Sequence, residues 1–198
     1  MWTNAKEPGE LSNAANEIEP HDRALIRLVG AGDLHAFESL YRSYFHRLTR
    51  FIDRMIRRPN LIEEIVNDTM LTVWQKAGSF DGSCKLSTWI FAIAYRKAMK
   101  AARGLDDPVA YDFEFAPDES GHEPDEEAQH HELREHMLKA LDALSFDHRA
   151  VVCLTYYHGL GYAEIASIMD CPVNTVKTRM HHARRRLEIL LARRAEEM

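Results

Sequence analysis

Nothing in this chain is apolar for long. The longest uninterrupted apolar run, Trp89–Tyr95, falls far short of the ~18 residues that cross a bilayer. The opening MWTNAKEPGELSN has no basic segment followed by an apolar one. No secretory leader is therefore expected, and the protein is expected to stay in the cytoplasm without membrane insertion. Cysteine is scarce: Cys84, Cys153 and Cys171 are odd in number, far apart and form no CxxC, which argues against a disulfide framework or a zinc ribbon. There is no glycine-rich phosphate cradle and no nucleophile–base pairing. The expectation is no enzyme, no catalytic residue, no cofactor and no small-molecule substrate. Eleven histidines are present, and His122, His130, His131 and His136 stand beside acids. Intervals of one and five residues do not build one ligand face on a helix, so a solvated helix start is expected rather than a metal site.

Positive charge also looks insufficient, with a net charge of −6, until it is divided along the chain. Residues 21–103 carry fourteen basic and eight acidic groups, and residues 133–198 carry ten and eight. The acid is concentrated in residues 104–132, which hold eleven carboxylates and no Lys or Arg. Two basic-leaning blocks are thus joined by an anionic tether.

Both blocks read as helical, with no period-two alternation. Residues 1–20 are polar and Asn/Glu-rich, expected as a disordered lead-in. A helix is predicted from about His21 to Val29. Asp33 then caps a long helix with Phe37, Leu40, Tyr41, Tyr44, Leu48, Phe51, Ile52 and Met55 inward, stopped by Pro59. Asn60 with Glu63 signals the next cap, and Gly78 the end of that helix. After the loop SFDGSCK, Ser87 is expected to cap a helix that is apolar early and basic late. From Leu105 to about Pro124 the chain reads as an extended acidic linker. Helicity resumes at Asp125, and Ser145 caps a further helix that ends at Gly159. The domain divisions are 1–20, 21–103, 104–127, 128–191 and a tail at 192–198.

The most informative stretch is Gly161–Leu187. Ile165, Ala166, Ile168 and Met169 make the apolar side of a short helix, with Gly161 at its N-cap and Glu164 at N3. Asp170–Cys171–Pro172 breaks it, because the residue before a proline is driven out of the α region. Val176, Met180, Ala183 and Leu187 then form one buried stripe at helical period. The other faces carry Asn174, Thr175, Lys177, Thr178, Arg179, His181 and Arg184. This is a helix-turn-helix whose second helix suits the major groove. Arg184, Arg185 and Arg186 suit phosphates. The pair His181–His182 leaves open which of the two faces DNA.

FESLYRSYFHRLTRFI, IEEIVNDTMLTVWQKAGSFDG, STWIFAIAYRKAMKAAR and the stretch from Ala140 to Leu187 occur in this order and at these separations. With them the chain resembles the extracytoplasmic-function (ECF, group 4) sigma factors of the sigma-70 superfamily, the promoter-recognition subunits of bacterial RNA polymerase. The resemblance implies an all-α protein of two small helical domains joined by an acidic flexible linker, the second ending in the helix-turn-helix. It also implies three surfaces. Glu63, Glu64, Asn67 and Asp68, with Leu71 and Trp74, would dock on core RNA polymerase. Phe80, Asp81, Gly82, Ser83, Cys84 and Lys85 would capture an unstacked base of the −10 element, while Ser87, Trp89, Arg96, Lys97 and Lys100 hold the neighbouring strand. Asn174, Thr175, Lys177, Thr178, Arg179, His181 and Arg184 would meet the −35 element. The partners implied are core polymerase, promoter DNA and an anti-sigma factor that holds the protein inactive until a stress signal.

The physical chemistry agrees with such roles. Holding a base outside its stack costs a few kcal/mol and needs polar partners plus neutralised backbone charge. A Gly/Ser loop beside Trp89 and a cationic helix supplies those parts. Without the resemblance, the acidic face at Glu63–Asp68 reads as solvated surface, and Trp74 and Trp89 read equally as core or contact residues. The alternative is a stand-alone helix-turn-helix regulator, which would normally dimerise on a palindrome; no dimerisation stripe is evident.

Overall fold

The computed structural model describes residues 11–104 and 135–195. Among them every regular element is helical. The first module comprises α1 (Leu11–Gly30), α2 (Leu34–Ile56), α3 (Pro59–Lys76), a short 3-10 turn at Ala77–Ser79 and α4 (Leu86–Arg103). The second comprises α5 (residues 135–142), α6 (Phe146–Tyr156), α7 (Tyr162–Met169) and α8 (Val173–Ala195).

In α2 the buried residues Ala36, Leu40, Tyr44, Leu48, Phe51, Ile52 and Met55 recur every three or four positions, which is one face of a helix. Asp33 starts it by accepting from the amides of His35 (2.9 Å) and Ala36 (3.1 Å), satisfying donors the first turn leaves orphaned. Arg57 ends it in the left-handed region at φ 54°. The Tyr44 hydroxyl donates to Asp22 at 2.6 Å, so the one polar tip in this stripe is answered from α1. Helix α4 is buried on more than one side, with Leu86, Ile90, Phe91, Ile93, Ala94, Tyr95 and Ala98 all enclosed. It packs against α2 and α3 within its own module and against α7 of the other.

The two modules meet over an aromatic and cationic seam. The His158 ring lies 4.7 Å from that of Phe91 and 5.8 Å from that of Phe51. The Arg54 guanidinium sits 3.9 Å over the Tyr157 ring, and Arg149 Nη1 donates to the Arg54 carbonyl at 3.3 Å.

Several boundaries differ from the sequence expectation. Helix α1 begins at Leu11, inside the segment expected to be a disordered lead-in; Leu11, Ala14, Ala15 and Ile18 continue its helical spacing in the sequence. Helix α3 starts at Pro59 with Arg58 as N-cap, not at Asn60. Proline fits the first helical position because it lacks the N–H that would go unbonded there. Helix α4 starts at Leu86 with Lys85 as N-cap, so Ser87 lies inside the first turn and caps nothing. Helix α8 runs through Ala195, beyond the expected tail boundary at 192, as a stretch free of Gly and Pro permits. The linker after Gly104, Asp125 and Leu133 lie outside the described residues.

Burial, reinforced by Arg47, Arg54 and Arg50, pushes the His158 pKa down to about 3, so the ring is neutral in the fold. The unfolded chain binds a proton near pH 6.5. Between these values the unfolded state holds more protons, so stability rises with pH through that window and falls on acidification. Going from pH 7 to 5 should cost on the order of 1–2 kcal/mol through this group. His158→Gln should remove that share, read from urea midpoints at both pH values. Equal shifts in the two proteins would place the slope elsewhere.

Candidate nucleic-acid interface

The helix-turn-helix is built as its sequence dictates. The Glu164 carboxylate accepts from the Gly161 amide at 2.9 Å, closing the first turn of α7. Asp170 takes the left-handed conformation at φ 51°, and the Cys171 amide returns to the Ala166 carbonyl at 3.1 Å. This turn aims α8 across α7. Ile165, Ala166, Ile168 and Met169 of α7 and Val176, Met180 and Ala183 of α8 are buried, while Leu187 packs on their edge.

The opposite side of α8 presents Asn174, Lys177, Thr178, His181 and Arg184 to solvent, with Thr175 half-buried beside them. The Thr178 hydroxyl donates to the Asn174 carbonyl at 3.0 Å. His182 turns toward His148 of α6, their rings 6.2 Å apart. His181 is left at helical spacing from Lys177 and Thr178. Arg184 Nε donates to the Tyr156 hydroxyl at 3.0 Å. Arg179 stands apart from this row: it is half-buried and ion-paired with Asp147, whose carboxylate also accepts from the Tyr95 hydroxyl of α4 at 2.8 Å. Arg179 is therefore held by α6 of its own module, through a carboxylate that α4 of the other module also engages.

The second cluster lies at the loop before α4. Gly82 has φ 73°, a left-handed position where a side chain would be strained. Asp81 accepts from the Ser83 amide at 2.9 Å, and the hydrogen bonds from Ser83 hold its carboxyl below the usual range. Phe80 packs against Trp89 with ring centroids 5.3 Å apart, so Trp89 serves the loop and the core edge together. Cys84 is half-buried, and burial followed by the nearby Asp81 raises its thiol pKa. A thiol kept protonated is a poor nucleophile. Lys85 pairs with Glu164 of the second module at 3.1 Å. Along α4, Ser87 is half-buried, whereas Arg96 and Lys100 are exposed. Lys97 is ion-paired with Asp68 of α3.

The third cluster is the outer side of α3. Glu63, Glu64, Asn67, Asp68 and Leu71 are exposed, and Leu71 keeps half of its surface in water. The Asn67 side chain accepts from the Tyr41 hydroxyl at 2.7 Å. Trp74 is half-buried with its ring edge toward Phe37 at 5.1 Å. Reading the sequence missed the contacts of Asp147 with Arg179 and of Glu164 with Lys85, and the Tyr95 hydroxyl that donates to Asp147. It also missed Arg23 of α1, whose guanidinium reaches the Gly82 carbonyl at 3.5 Å. These partners lie tens of residues away along the chain, and no local pattern announces them.

Comparison with known proteins follows this division. Residues 40–106 match the model for sigma-70 region 2, and residues 134–187 match that for sigma-70 region 4. The chain is 27% identical over 180 residues to the RNA polymerase sigma-H factor of Pseudomonas aeruginosa, covering 86% of this chain and 93% of that protein. It is 29% identical over 177 residues to the ECF RNA polymerase sigma-E factor of Salmonella typhimurium, covering 84% and 92%. Among solved structures, the sigma factor RpoE in complex with the anti-sigma factor NepR from Bartonella quintana superposes with a TM-score of 0.62 at 26% identity, covering 79% and 96%.

The pair Arg179–Asp147 is only partly shielded from water, so its expected worth is that of a surface pair, about 0.5–1 kcal/mol. A double-mutant cycle of Asp147→Asn with Arg179→Gln, read by urea denaturation, should return a coupling of that size. Tyr95→Phe should destabilise by about 1 kcal/mol. A zero coupling would mean the pair is not formed in solution.

Proposed function

We propose, from the premise that the chain belongs to the sigma-70 family of RNA polymerase sigma factors, that it is an alternative sigma factor of the ECF type, group 4, acting in the cytoplasm. Its task is to bring core polymerase to a chosen set of promoters, not to catalyse a reaction of its own. One observation carries this reading. Regions 2 and 4 of a single family match in order along the chain, and each module presents an outward polar face.

Helix α3 docks on the polymerase. Its exposed Leu71 supplies apolar contact area, and Glu63, Glu64 and Asp68 select a basic partner surface. Helix α8 lies in the major groove of the −35 element. There Asn174, Lys177, Thr178 and His181 can reach base edges, and Arg184 suits a phosphate. The loop Phe80–Lys85, with Trp89, Arg96 and Lys100, takes the melted −10 strand. Neither contact has to be tight alone, because polymerase joins them and the second becomes intramolecular. Arg179 and Lys85 are ion-paired within the chain, so engagement with DNA exchanges those carboxylates for phosphates or bases. An anti-sigma factor that covers both modules would hold the protein inactive until a stress signal. The similar Bartonella quintana sigma factor was solved in complex with the anti-sigma factor NepR. Nothing favours a stand-alone helix-turn-helix regulator.

The test is run-off transcription from genomic fragments by polymerase reconstituted with this subunit. Asn174→Ala with Lys177→Ala should lower initiation at selected promoters by roughly 10- to 100-fold, the scale of one or two lost base contacts. Polymerase binding should be unchanged. Leu71→Glu should weaken polymerase binding about tenfold or more while leaving the isolated chain folded. Loss of both activities together in each variant would contradict separate surfaces.

A further inference from the structure

The seam between the modules is crowded with cations and short of anions. His158 stands just past the end of α6, beside Gly159 at φ 64°. It belongs to the second module, but the rings it meets belong to the first: Phe91 of α4 at 4.7 Å and Phe51 of α2 at 5.8 Å. Its Nε2 is buried and has no hydrogen-bond partner among the described residues. The charges acting on the ring are those of Arg47, Arg50 and Arg54, all from α2. Arg47 already sits 5.5 Å from the centre of the Phe91 ring, and Arg54 lies over Tyr157. From the second module, Arg149 and Asp142 face the same seam. Asp142 is shared by Arg57 and Arg149 at 3.4 Å each, so it is not free to answer a further cation.

A neutral imidazole fits this place and an imidazolium does not. Protonated, the ring would carry an unpaired charge among three arginines, against a phenyl ring that another cation already shares. Once the modules part, both ring nitrogens meet water and the group titrates near its ordinary value of about 6.5. Proton uptake therefore favours the parted form. Asp142 works the other way: burial raises its carboxyl, so its protonation favours the closed form, and only as pH falls towards the carboxylate range. The closed form also occupies groups proposed for both promoter elements, since Lys85 is paired with Glu164 and Arg179 with Asp147. The −35 and −10 elements stand roughly 25 base pairs apart, which is about 85 Å along straight duplex. Helices in contact, as α4 and α7 are, lie only about 8–10 Å apart. The modules must part to reach both elements.

We propose that His158 is an acid-operated latch between the modules: neutral, it closes the second module onto α2 and α4, and protonated, it releases the two as folded units. This inference rests on the sigma factor reading for its consequence and deepens it by naming a regulation. A fall in pH shifts the free chain toward the form that can span a promoter.

The experiment follows energy transfer in the full chain between dyes attached at Ser43 of α2 and Ser167 of α7, both exposed. The ratio of parted to closed chain should rise about tenfold between pH 7.5 and 5.5, with helix content unchanged. His158→Phe keeps a ring against Phe91 and removes the titration, so its ratio should stay flat. Tyr157→Ala removes the ring under Arg54 and should raise the ratio about threefold at either pH, with the wild-type slope kept. His148→Gln should also keep that slope. A wild-type ratio that does not move, a His158→Phe ratio that moves as the wild type does, or helix content lost in step with transfer overturns the latch. Core polymerase binding by the wild type, relative to His158→Phe, should strengthen by about the same tenfold, because only the parted form is competent. An unchanged relative affinity overturns the latch as a regulator. No polymerase binding by any variant at any pH overturns the sigma factor reading and leaves the dye result standing.

Discussion

The chain's own carboxylates hold a small set of cations, and on the proposed function phosphates would compete for the same groups. A protein with net charge −6 cannot approach a polyanion on average charge alone; it must place its cations locally. Three cations proposed to face DNA are nevertheless engaged within the chain: Lys85 with Glu164, Lys97 with Asp68 and Arg179 with Asp147. Each pair is partly in water, where an ion pair contributes about 0–1 kcal/mol. A phosphate that displaces the carboxylate also releases condensed counterions, so the exchange is easily driven toward DNA at moderate salt. These pairs bias the resting arrangement without locking it.

Apolar periodicity and caps carried most of the fold. The stripe of α2, the cap at Asp33, the bonded pair Gly161–Glu164 and the left-handed Asp170 are all local devices, each satisfied within a few residues. The misreadings occurred where two local signals competed. Asn60 is a good cap residue, but Pro59 immediately before it is better suited to the first helical position, and the helix takes the earlier start. Ser87 lost its cap role for a related reason: the buried Leu86 is already helical. At α1 the low hydrophobicity of residues 1–20 outweighed a spacing that was present in the sequence.

The candidate sites were less readable, because their geometry is made by distant residues. Exposure of Asn174, Lys177, Thr178 and His181 follows from the buried stripe opposite them, and spacing alone revealed it. The diversion of Arg179 to Asp147 does not follow from spacing, since Arg179 sits beside Met180 at the margin of that stripe. The packing of α6 on α8 brings Asp147 to it, and α4 of the other module adds Tyr95 as a donor to that carboxylate. The orientation of His182 toward His148 likewise depends on α6, and it distinguishes two adjacent histidines that the sequence left equivalent.

The pair Lys97–Asp68 has a consequence for how docking and promoter melting relate. Asp68 lies on the exposed side of α3 proposed to meet polymerase, and Lys97 lies on the helix proposed to hold the melted strand. A basic polymerase surface that engages Asp68 lowers the charge holding Lys97, whose ammonium then gains more from a phosphate than before. The same linkage runs in reverse: a strand that draws Lys97 away leaves Asp68 more available to polymerase. The coupling is bounded by the worth of one partly exposed ion pair, so it is small. Its sign is fixed by charge alone, and with the proposed surfaces it would make polymerase-bound chain a better ligand for single-stranded DNA than free chain.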